Sequence, residues 1–380
     1  MFPKLGRPQL AALTLLLLFV VQCLWFMAHV PITQMESGYI EDGLLHVERL
    51  LNAGTGYHSP LIPALAGIPA SLIDSQGNFI HLSQYRFLIR LPFLLAGLLL
   101  GASLWYVARR LYGNFGGYIA LGLYCFSPLV ITRSSQVQPD IVGTWGAFGL
   151  VFTAIAAAHT LYAPRDVVLW NWKRILLMAV SIALCVGSQW SLWLVLLPAL
   201  GFMLWVGHVR PVAALAIFAA ACTAALLLLF GVESFRPAVF ADALRSANWI
   251  ETSPAQISAK SVLTLLGLFF LQNGLGTLVL LLLSLVAFAV WKRARYFGNA
   301  APLIVSLLLI FAGLAMQHFA GLLFLFVALP FLVLFMAGVS ADLLETKYAV
   351  FANAIIVGVL IANAILDIGG LLQLAHPASR

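Results

Sequence analysis

Apolar runs of about 17 to 25 residues recur along the whole sequence, and they limit the fold more than any single motif does. A helix needs about 20 apolar residues to cross the hydrocarbon core of a bilayer, so each run is long enough to form one membrane span. Hydrophobic residues make up 63% of the 380 residues and charged residues 9%, which excludes the class of soluble globular domains. The sequence therefore predicts an all-α integral membrane protein with a single membrane domain over residues 1–380.

The positions of the runs predict about eleven transmembrane helices. These helices lie at residues 10–29, 88–107, 115–132, 141–161, 175–190, 191–207, 211–231, 274–291, 300–316, 320–339 and 349–371. The segment 262–273 is too short to cross, and it predicts either an interfacial or re-entrant helix or the start of one long tilted helix over 262–291. The first run lacks a small-x-small cleavage site, so we interpret it as a retained span.

The basic residues predict the orientation of these spans. If the amino terminus is cytoplasmic, most of the basic residues fall on short cytoplasmic loops, as the positive-inside rule requires. They are Lys4, Arg7, Arg109, Arg110, Arg165, Lys173, Arg174, Arg210, Lys292, Arg293, Arg295 and Lys347. The pattern predicts a multi-pass inner (plasma) membrane protein. It excludes a nucleic-acid partner, because these residues form no patch with interleaved aromatic side chains.

Two long loops, 30–87 and 232–262, then lie outside the cytoplasm and contain most of the acidic residues. In the first loop, "YIEDGLLHVERLL" places apolar residues on one helical face and acidic residues on the other, which is typical of an interfacial amphipathic helix. The stretch "PLIPALAGIPASLI" predicts a second short helix in the membrane surface. We therefore expect the first loop to form a structured lid, and any chemistry to take place on the extracytoplasmic face.

The cysteines favour no redox or metal chemistry. Each one lies inside an apolar run, which leaves neither a disulfide framework nor a CxxC motif. They are Cys23, Cys125, Cys185 and Cys222.

One carboxylate, Asp140, lies in the short polar stretch "SQVQPDIVG" between two predicted spans. An acid at this position is a candidate general base for an acceptor hydroxyl. It could equally be a solvated residue at a helix start, since Pro139 followed by Asp140 suits a helix N-terminus.

The order of several stretches resembles one known family. The four stretches are "MESGYIEDGLLHVERLLNAGTGYHSPL", "RLPFLLAGLLLGASLWYVARRLYG", "FSPLVITRSSQVQPD" and "SQWSLWLVLLPAL". In their order and spacing they resemble the C-type polytopic glycosyltransferases, notably the protein O-mannosyltransferases and the lipid A aminoarabinose transferases. The resemblance covers about the first 200 residues. It implies a fold whose active site faces away from the cytoplasm and a sugar donor linked to polyprenyl phosphate.

The resemblance also implies site residues. The family places one acid in the first loop and one in the second, both reaching a cavity, and Asp140 matches the second acid. The first loop of the family usually carries an Asp-Glu pair ahead of a tyrosine, whereas this chain has Met35 and Glu36 before Tyr39. The acid that the family uses as its base is therefore replaced by methionine, and Glu36 is the residue that could take over that role. Tyr39 and His58, the latter in "GYHSPL", are expected near the donor or a metal.

The leaving polyprenyl phosphate needs a cation to stabilise its developing charge. The candidates are Arg133, seven residues before Asp140, together with Arg86 and Arg90. Each of them could instead be a structural residue. Arg86 and Arg90 could anchor a span at the membrane interface, and Arg133 could end its span or pair with Asp140.

These observations predict a membrane glycosyltransferase that moves a sugar from a polyprenyl-phosphate donor to an acceptor at the extracytoplasmic face. The alternative is a catalytically inactive, glycosyltransferase-like subunit with a structural role in a membrane complex. For the enzyme, Glu36 and Asp140 are the predicted catalytic residues. The expected partners are the lipid-linked sugar, membrane lipids and a lipid, glycan or protein acceptor, with complex subunits in the alternative. A divalent metal is compatible with the family chemistry, but the sequence does not identify one.

Overall fold

The computed structural model describes residues 6–51, 61–73, 85–162, 172–247, 249, 259–290, 296–316 and 319–375. Nearly all of these residues are helical, and they include no strand. The helices are α1 Arg7–His29, α2 Gln34–Leu51, α3 Leu61–Ile73, α4 Arg86–Cys125, α5 Pro128–Ser134, α6 Pro139–Thr160, α7 Trp172–Ser188, a 3₁₀ helix Trp190–Val195, α8 Leu196–Val206, α9 Pro211–Val232, α10 Pro237–Arg245, α11 Ala259–Asn273, α12 Leu275–Val290, α13 Tyr296–Ala315, α14 Phe319–Leu344 and α15 Ala349–Ala375.

Within the described ranges, seven helical segments are long and apolar enough to cross a membrane. They are Arg7–His29, Arg86–Cys125, Pro139–Thr160, Pro211–Val232, Gly298–Ala315, Gly321–Leu344 and Ala349–Gln373. Shorter apolar segments lie at Leu61–Ser71, Trp190–Val206 and Gly276–Val290. The protein is thus an all-α multi-pass membrane protein, as predicted. The number of eleven spans stays a prediction.

Helix α4 contains a chain reversal. Gly113 has φ 82° and ψ −172°, a backbone conformation that a residue with a β-carbon rarely adopts. After it the chain runs back along its own first part, since the Tyr124 hydroxyl donates to the Gly97 carbonyl at 2.6 Å. A β-carbon at Gly117 would likewise lie 3.3 Å from the Trp105 ring. The predicted spans 88–107 and 115–132 therefore form an antiparallel pair.

The predicted span 115–132 is wrong at its end. The helix stops at Cys125, and Ser127 caps a separate helix, α5, that starts at Pro128. Proline lacks the N–H that would continue a helix but suits a first helical position, which explains the division.

The alternative of one long helix over 262–291 is also wrong. Gly274, with φ 85°, separates α11 from α12. The backbone groups that this break leaves open are bound by polar neighbours: Thr277 N donates to Asn363 Oδ1 at 3.2 Å, and Thr277 Oγ1 donates to the Asn273 carbonyl at 3.0 Å. Such partners are needed where a helix is interrupted in a membrane.

The chain divides into two compact units. The first unit is Met1–Pro31, Leu94–Gln136 and Ser253–Arg380, and the second is Ile32–Phe93 and Val137–Thr252. Each is made of separate stretches of the sequence. The assignment of all residues to one membrane domain stays a prediction.

In the first unit, α14 is the most deeply buried of the helices that could cross a membrane. It forms a hairpin with α13 in which Gly313 and Gly321 lie in direct backbone contact. Helix α1 packs on α5, where Ser135 Oγ donates to the Cys23 carbonyl at 3.3 Å. The tight contacts rely on small residues, as is usual for membrane helices.

In the second unit, α6 and α7 pack closely through small residues. Gly146 lies against the Cys185 backbone, and a β-carbon at Gly149 would lie 2.6 Å from Ser181 Oγ. Helix α9 also packs on α7, and α8 packs on α6. The first-loop helices α2 and α3 form a hairpin that crosses at Gly43 and Gly67. Both first-loop helices were predicted, but α2 starts at Gln34, about one turn earlier than expected.

Candidate active site

The first turn of α2 is closed by a capping box. Glu36 N donates to Thr33 Oγ1 at 3.3 Å, and Thr33 N donates to Glu36 Oε2 at 2.8 Å. This reciprocal pair of bonds satisfies two of the N–H groups that every helix N-terminus leaves open. It explains why α2 begins before its amphipathic stretch does.

The Glu36 carboxylate also forms a buried ion pair with Arg90. Arg90 Nε donates to Oε1 and its second terminal nitrogen donates to Oε2, both at 2.8 Å. Glu36 is 0% exposed and Arg90 1% exposed. The fork of a guanidinium matches a carboxylate in this geometry, and the interaction is strong because both groups are charged.

A third segment reaches the same carboxylate. Val137 N donates to Glu36 Oε1 at 3.0 Å, and Val137 begins the stretch that leads into α6. Each oxygen of Glu36 thus accepts two hydrogen bonds, which ties the start of α2 to the start of α4 and to the segment before Asp140.

Asp140 is the second residue of α6 and follows Pro139, as the sequence predicted for a helix start. It is 9% exposed. Its helix is held in place at this end, because a β-carbon at Gly143 would lie 2.7 Å from the Leu192 side chain. The carboxylate is therefore carried by a well-fixed helix end.

Tyr39 of α2 lies within electrostatic range of Asp140. Burial, together with the negative charges of Asp140 and Asp42, raises the pKa of the Tyr39 phenol to about 12. A phenol in this state is neutral at pH 7 and can donate a hydrogen bond to an anion or a ligand oxygen. Glu36, Arg90, Tyr39 and Asp140 therefore belong to one region of the second unit.

The other predicted site residues are placed differently. Arg86 is half-buried on the first turn of α4, 5.7 Å from the centre of the Phe87 ring. Arg133 is half-buried on α5 in the first unit. His58 lies outside the described residues. Met35, which stands where the family has an acid, is 51% exposed.

The His, Cys, Asp and Glu side chains of the described residues bear on whether a metal could bind. Among them, no three His, Cys, Asp or Glu side chains come together in a way that could hold a metal ion.

Thr33 and Val137 were not predicted as parts of this site. The Thr33 contribution could have been found, since the sequence "TQME" matches the S/T-x-x-E signature of a capping box. The bond from Val137 had no signal in the sequence, because it comes from a backbone N–H at a distance of 101 residues.

Residues 58–233 match the family model described as dolichyl-phosphate-mannose-protein mannosyltransferase. No protein of curated function matches the chain in sequence.

Three solved structures have the same fold. The ArnT protein of Cupriavidus metallidurans bound to undecaprenyl phosphate superposes with a TM-score of 0.62 at 12% identity, over 96% of this chain and 75% of that one. The apo oligosaccharyltransferase of Archaeoglobus fulgidus gives 0.59 at 12% identity, over 96% and 56%. The oligosaccharyltransferase AglB of the same organism, in complex with an inhibitory peptide and a dolichol-phosphate, gives 0.55 at 13% identity, over 96% and 55%. The chain thus spans a little over half of the oligosaccharyltransferases.

The family match and the superpositions together bear out the resemblance that the sequence motifs indicated. Residues 58–233 are thus similar to the mannosyltransferase family model, and the chain has the fold of these three solved structures.

Proposed function

We propose that the protein transfers a sugar from a polyprenyl-phosphate donor to an acceptor hydroxyl, with Asp140 as the general base. The observation that carries this proposal is the position of Asp140 on a fixed helix end beside Tyr39, within the part of the chain that matches the mannosyltransferase family. A lipid-phosphate donor is supported by the undecaprenyl phosphate and dolichol-phosphate bound to two proteins of the same fold.

In the proposed reaction, the acceptor oxygen attacks the anomeric carbon of the donor sugar. The bond from that carbon to the phosphate oxygen breaks, and the polyprenyl phosphate leaves with the electron pair. Asp140 takes the proton of the acceptor hydroxyl, which it can do if that hydroxyl lies within hydrogen-bonding distance. The neutral Tyr39 phenol is suited to orient the acceptor or the carboxylate.

We assign Glu36 a positioning role rather than that of the base. Both of its oxygens already accept two hydrogen bonds, and its charge is balanced by Arg90. That Glu36 acts as a second base stays a prediction. That Arg86, Arg90 and Arg133 contact the donor phosphate stays a prediction, and the Arg90 guanidinium is already bound to Glu36.

The second candidate function is that of a non-catalytic subunit in a membrane complex. Met35 favours it, because a methionine cannot accept a proton where the family pattern has an acid. In that case the region around Glu36 keeps its structure without performing chemistry, and the protein should purify in fixed stoichiometry with other membrane subunits.

We also propose that the protein resides in the inner (plasma) membrane with a cytoplasmic amino terminus and the Asp140 end of α6 outside. The distribution of basic residues supports this orientation. A cysteine introduced at Tyr85, which is exposed, should react with a membrane-impermeant maleimide in intact cells. Reaction only after the membrane is opened would reverse the orientation.

The proposed reaction can be tested in lipid nanodiscs with synthetic undecaprenyl-phosphate-mannose, -glucose and -arabinose, and a membrane lipid extract as the acceptor source. Mass spectrometry would follow both the released undecaprenyl phosphate and the glycosylated product. Asp140→Asn should lower the rate by about 10²- to 10⁴-fold, the usual contribution of a general base. Asp242→Asn is the matched control, because Asp242 is an exposed acid of the same unit.

Each outcome decides between the candidates. Wild-type-like transfer by Asp140→Asn would remove Asp140 as the base. Failure of the wild type with all three donors, together with copurification of other subunits, would favour the non-catalytic function.

A further inference from the structure

Helix α10 is fastened at its start to α9, a membrane helix of the second unit. The rings of Phe235 and Phe240 each lie 5.4 Å from the ring of Phe230, which belongs to the last turn of α9. Ser234 and Phe235, between the two helices, have φ values of 51° and 56°. Residues with a β-carbon keep this conformation only where the surrounding structure holds them, so the start of α10 is firmly placed.

The other end of α10 is fastened by Trp249. Its Nε1 donates to the Leu244 carbonyl at 3.2 Å, one of the carbonyls that the end of a helix leaves open. The Trp249 carbonyl accepts a hydrogen bond from Trp193 Nε1 at 3.1 Å, and the Trp249 ring lies 5.2 Å from that of Trp190. Trp190 and Trp193 belong to the 3₁₀ helix that follows α7. Helix α10 and Trp249, here called the clamp, therefore connect α9 with the 3₁₀ helix.

The 3₁₀ helix in turn contacts the helix end that carries Asp140. Leu192 of the 3₁₀ helix is fully buried, and its side chain comes so close to α6 that a β-carbon at Gly143 would lie 2.7 Å from it. Gly143 is three residues after Asp140, about one turn of the helix. A shift of Leu192 would therefore release the turn of α6 that places the Asp140 carboxylate.

Buried polar atoms flank this contact between the 3₁₀ helix and α6. Trp190 Nε1 and Ser191 Oγ lie just before Leu192 in the chain, and Thr144 Oγ1 lies just after Gly143. Within the described part of the chain, none of the three atoms has a hydrogen-bond partner. Keeping such groups away from water costs free energy, so the contact is less favourable than an apolar contact of the same size. It needs a further constraint, and the clamp supplies one.

We propose that Trp249 is a positioning residue for Asp140. Trp249 holds the 3₁₀ helix in place, Leu192 of that helix packs against Gly143, and this contact fixes the first turn of α6. The second long loop, 232–262, thereby takes part in the site without Trp249 touching the substrate. The expected effect on the rate rests on the proposed function, whereas the chain of contacts does not.

Steady-state kinetics of the transfer reaction test the positioning role. Trp249→Ala should lower kcat by about 10- to 100-fold, because a misplacement of about 1 Å can cost about 10²-fold. The KM for the acceptor should stay within about twofold of the wild-type value, since the clamp makes no contact with the substrate. Trp249→Phe keeps a ring beside Trp190 and a carbonyl for Trp193, and should retain most of the kcat. Trp205→Ala is the matched control, because Trp205 is exposed on α8 of the same unit, outside the clamp.

A double-variant cycle shows whether Trp249 acts through Leu192. Leu192→Ala should lower kcat by itself. If the clamp works by holding Leu192 against α6, Trp249→Ala should cause little further loss in the Leu192→Ala background. Losses that multiply independently would overturn the proposal, and so would a wild-type kcat in Trp249→Ala.

Hydrogen–deuterium exchange provides a readout that needs no reaction. In nanodiscs, Trp249→Ala should speed the exchange of backbone amides in the 3₁₀ helix and in residues 143–147 of α6, because local opening there becomes easier. Amides in the first half of α9 should exchange as in the wild type. Unchanged exchange in residues 143–147, or equal acceleration throughout the protein, would contradict a positioning role.

The two measurements also separate this proposal from the preceding one. If the wild type transfers no sugar but Trp249→Ala shows the local increase in exchange, the proposed reaction fails and the clamp stands. If the wild type transfers sugar with a kcat that does not depend on Trp249, the clamp fails and the reaction stands.

Discussion

Arg90 holds the Glu36 carboxylate at two points, each at 2.8 Å, in a place where neither side chain meets solvent. The two residues are 54 positions apart, one at the start of a first-loop helix and one near the start of a long apolar helix. An acid that the family resemblance marks as a candidate base is thereby part of the scaffold that supports Asp140.

Removing one member of this pair should destabilise the fold strongly. Arg90→Gln leaves the Glu36 charge buried without its counterion, which costs about 3–5 kcal/mol in comparable buried pairs. Thermal unfolding in mild detergent would measure the loss. The double variant Glu36→Gln, Arg90→Gln should recover much of it, because two neutral amides can still exchange a hydrogen bond. Additive effects of the two single changes would contradict the assigned pairing.

Removing the capping box should lower the stability less than removing the ion pair does, and mainly in the first loop. Thr33→Val keeps the shape of the side chain but removes the oxygen that accepts the Glu36 N–H, and should cost about 1 kcal/mol. Thr33→Ser keeps that oxygen and should behave like the wild type. The measurement is unfolding temperature together with the rate of proteolysis in the first loop. Equal stability of the Val and Ser variants would show that the cap contributes nothing.

The crossing of α2 and α3 should not tolerate a side chain at Gly43. A β-carbon there would meet the Pro63 carbonyl and would lie 2.6 Å from Gly67 N, and both are backbone atoms that cannot turn away. Gly43→Ala should therefore destabilise the protein by about 1–3 kcal/mol.

The same helix provides the control for this crossing. Gly38 has open space around it, so Gly38→Ala should be neutral or stabilising by about 0.5–1 kcal/mol because alanine favours the helix. If both substitutions have the same effect on the unfolding temperature, the hairpin does not cross where the structure places it.

The neighbourhood of Tyr39 and Asp140 should be visible in a pH titration. Tyr39 lies outside the membrane-spanning helices, and its pKa of about 12 is above the ordinary value of 10.0. As the pH is raised, the wild type should therefore gain the tyrosinate absorbance of Tyr39 near pH 12, and Tyr39→Phe should lack this gain. Asp140→Asn removes a nearby negative charge and should lower that pKa, whereas Asp242→Asn should leave it unchanged.

The sign of the linked stability follows from the same shift. Burial keeps the folded phenol protonated at pH values where the unfolded one is ionised. The stability that the neutral Tyr39 contributes is complete below pH 10 and is lost as the pH rises through about 12. Tyr39→Phe should show a smaller loss of stability over that interval. An identical loss in both proteins would place the titrating group elsewhere.

The sequence was informative where a property depends on residues close together in the chain. Apolar run length located the helices, and the alternation of apolar and acidic residues after Tyr39 predicted α2. The helix breaks at Gly113 and Gly274 are harder to predict from the sequence, because glycine is also common inside unbroken membrane helices. Only the positive φ of these two glycines shows that a helix ends there.

The partner of Arg90 could not have been predicted in the same way. An arginine at the end of an apolar run fits an interfacial anchor, a phosphate contact or a buried counterion equally well. Which of these roles an arginine has depends on the distant segment that folds against it. The periodicity of the sequence does not identify that segment. The same is true of the hydrogen bond from Trp193 Nε1 to the Trp249 carbonyl, which joins residues 56 positions apart.

The four bonds of Glu36 also have a consequence for biogenesis. Val137 is made 101 residues after Glu36, so the hydrogen bond between them can form only after the two apolar helices in between have been synthesised. A substitution at Arg90 would leave the Glu36 carboxylate without its counterion throughout that interval and afterwards. Its main effect in a cell would then be removal of the nascent chain by quality-control proteases, at a stage well before any substrate is encountered.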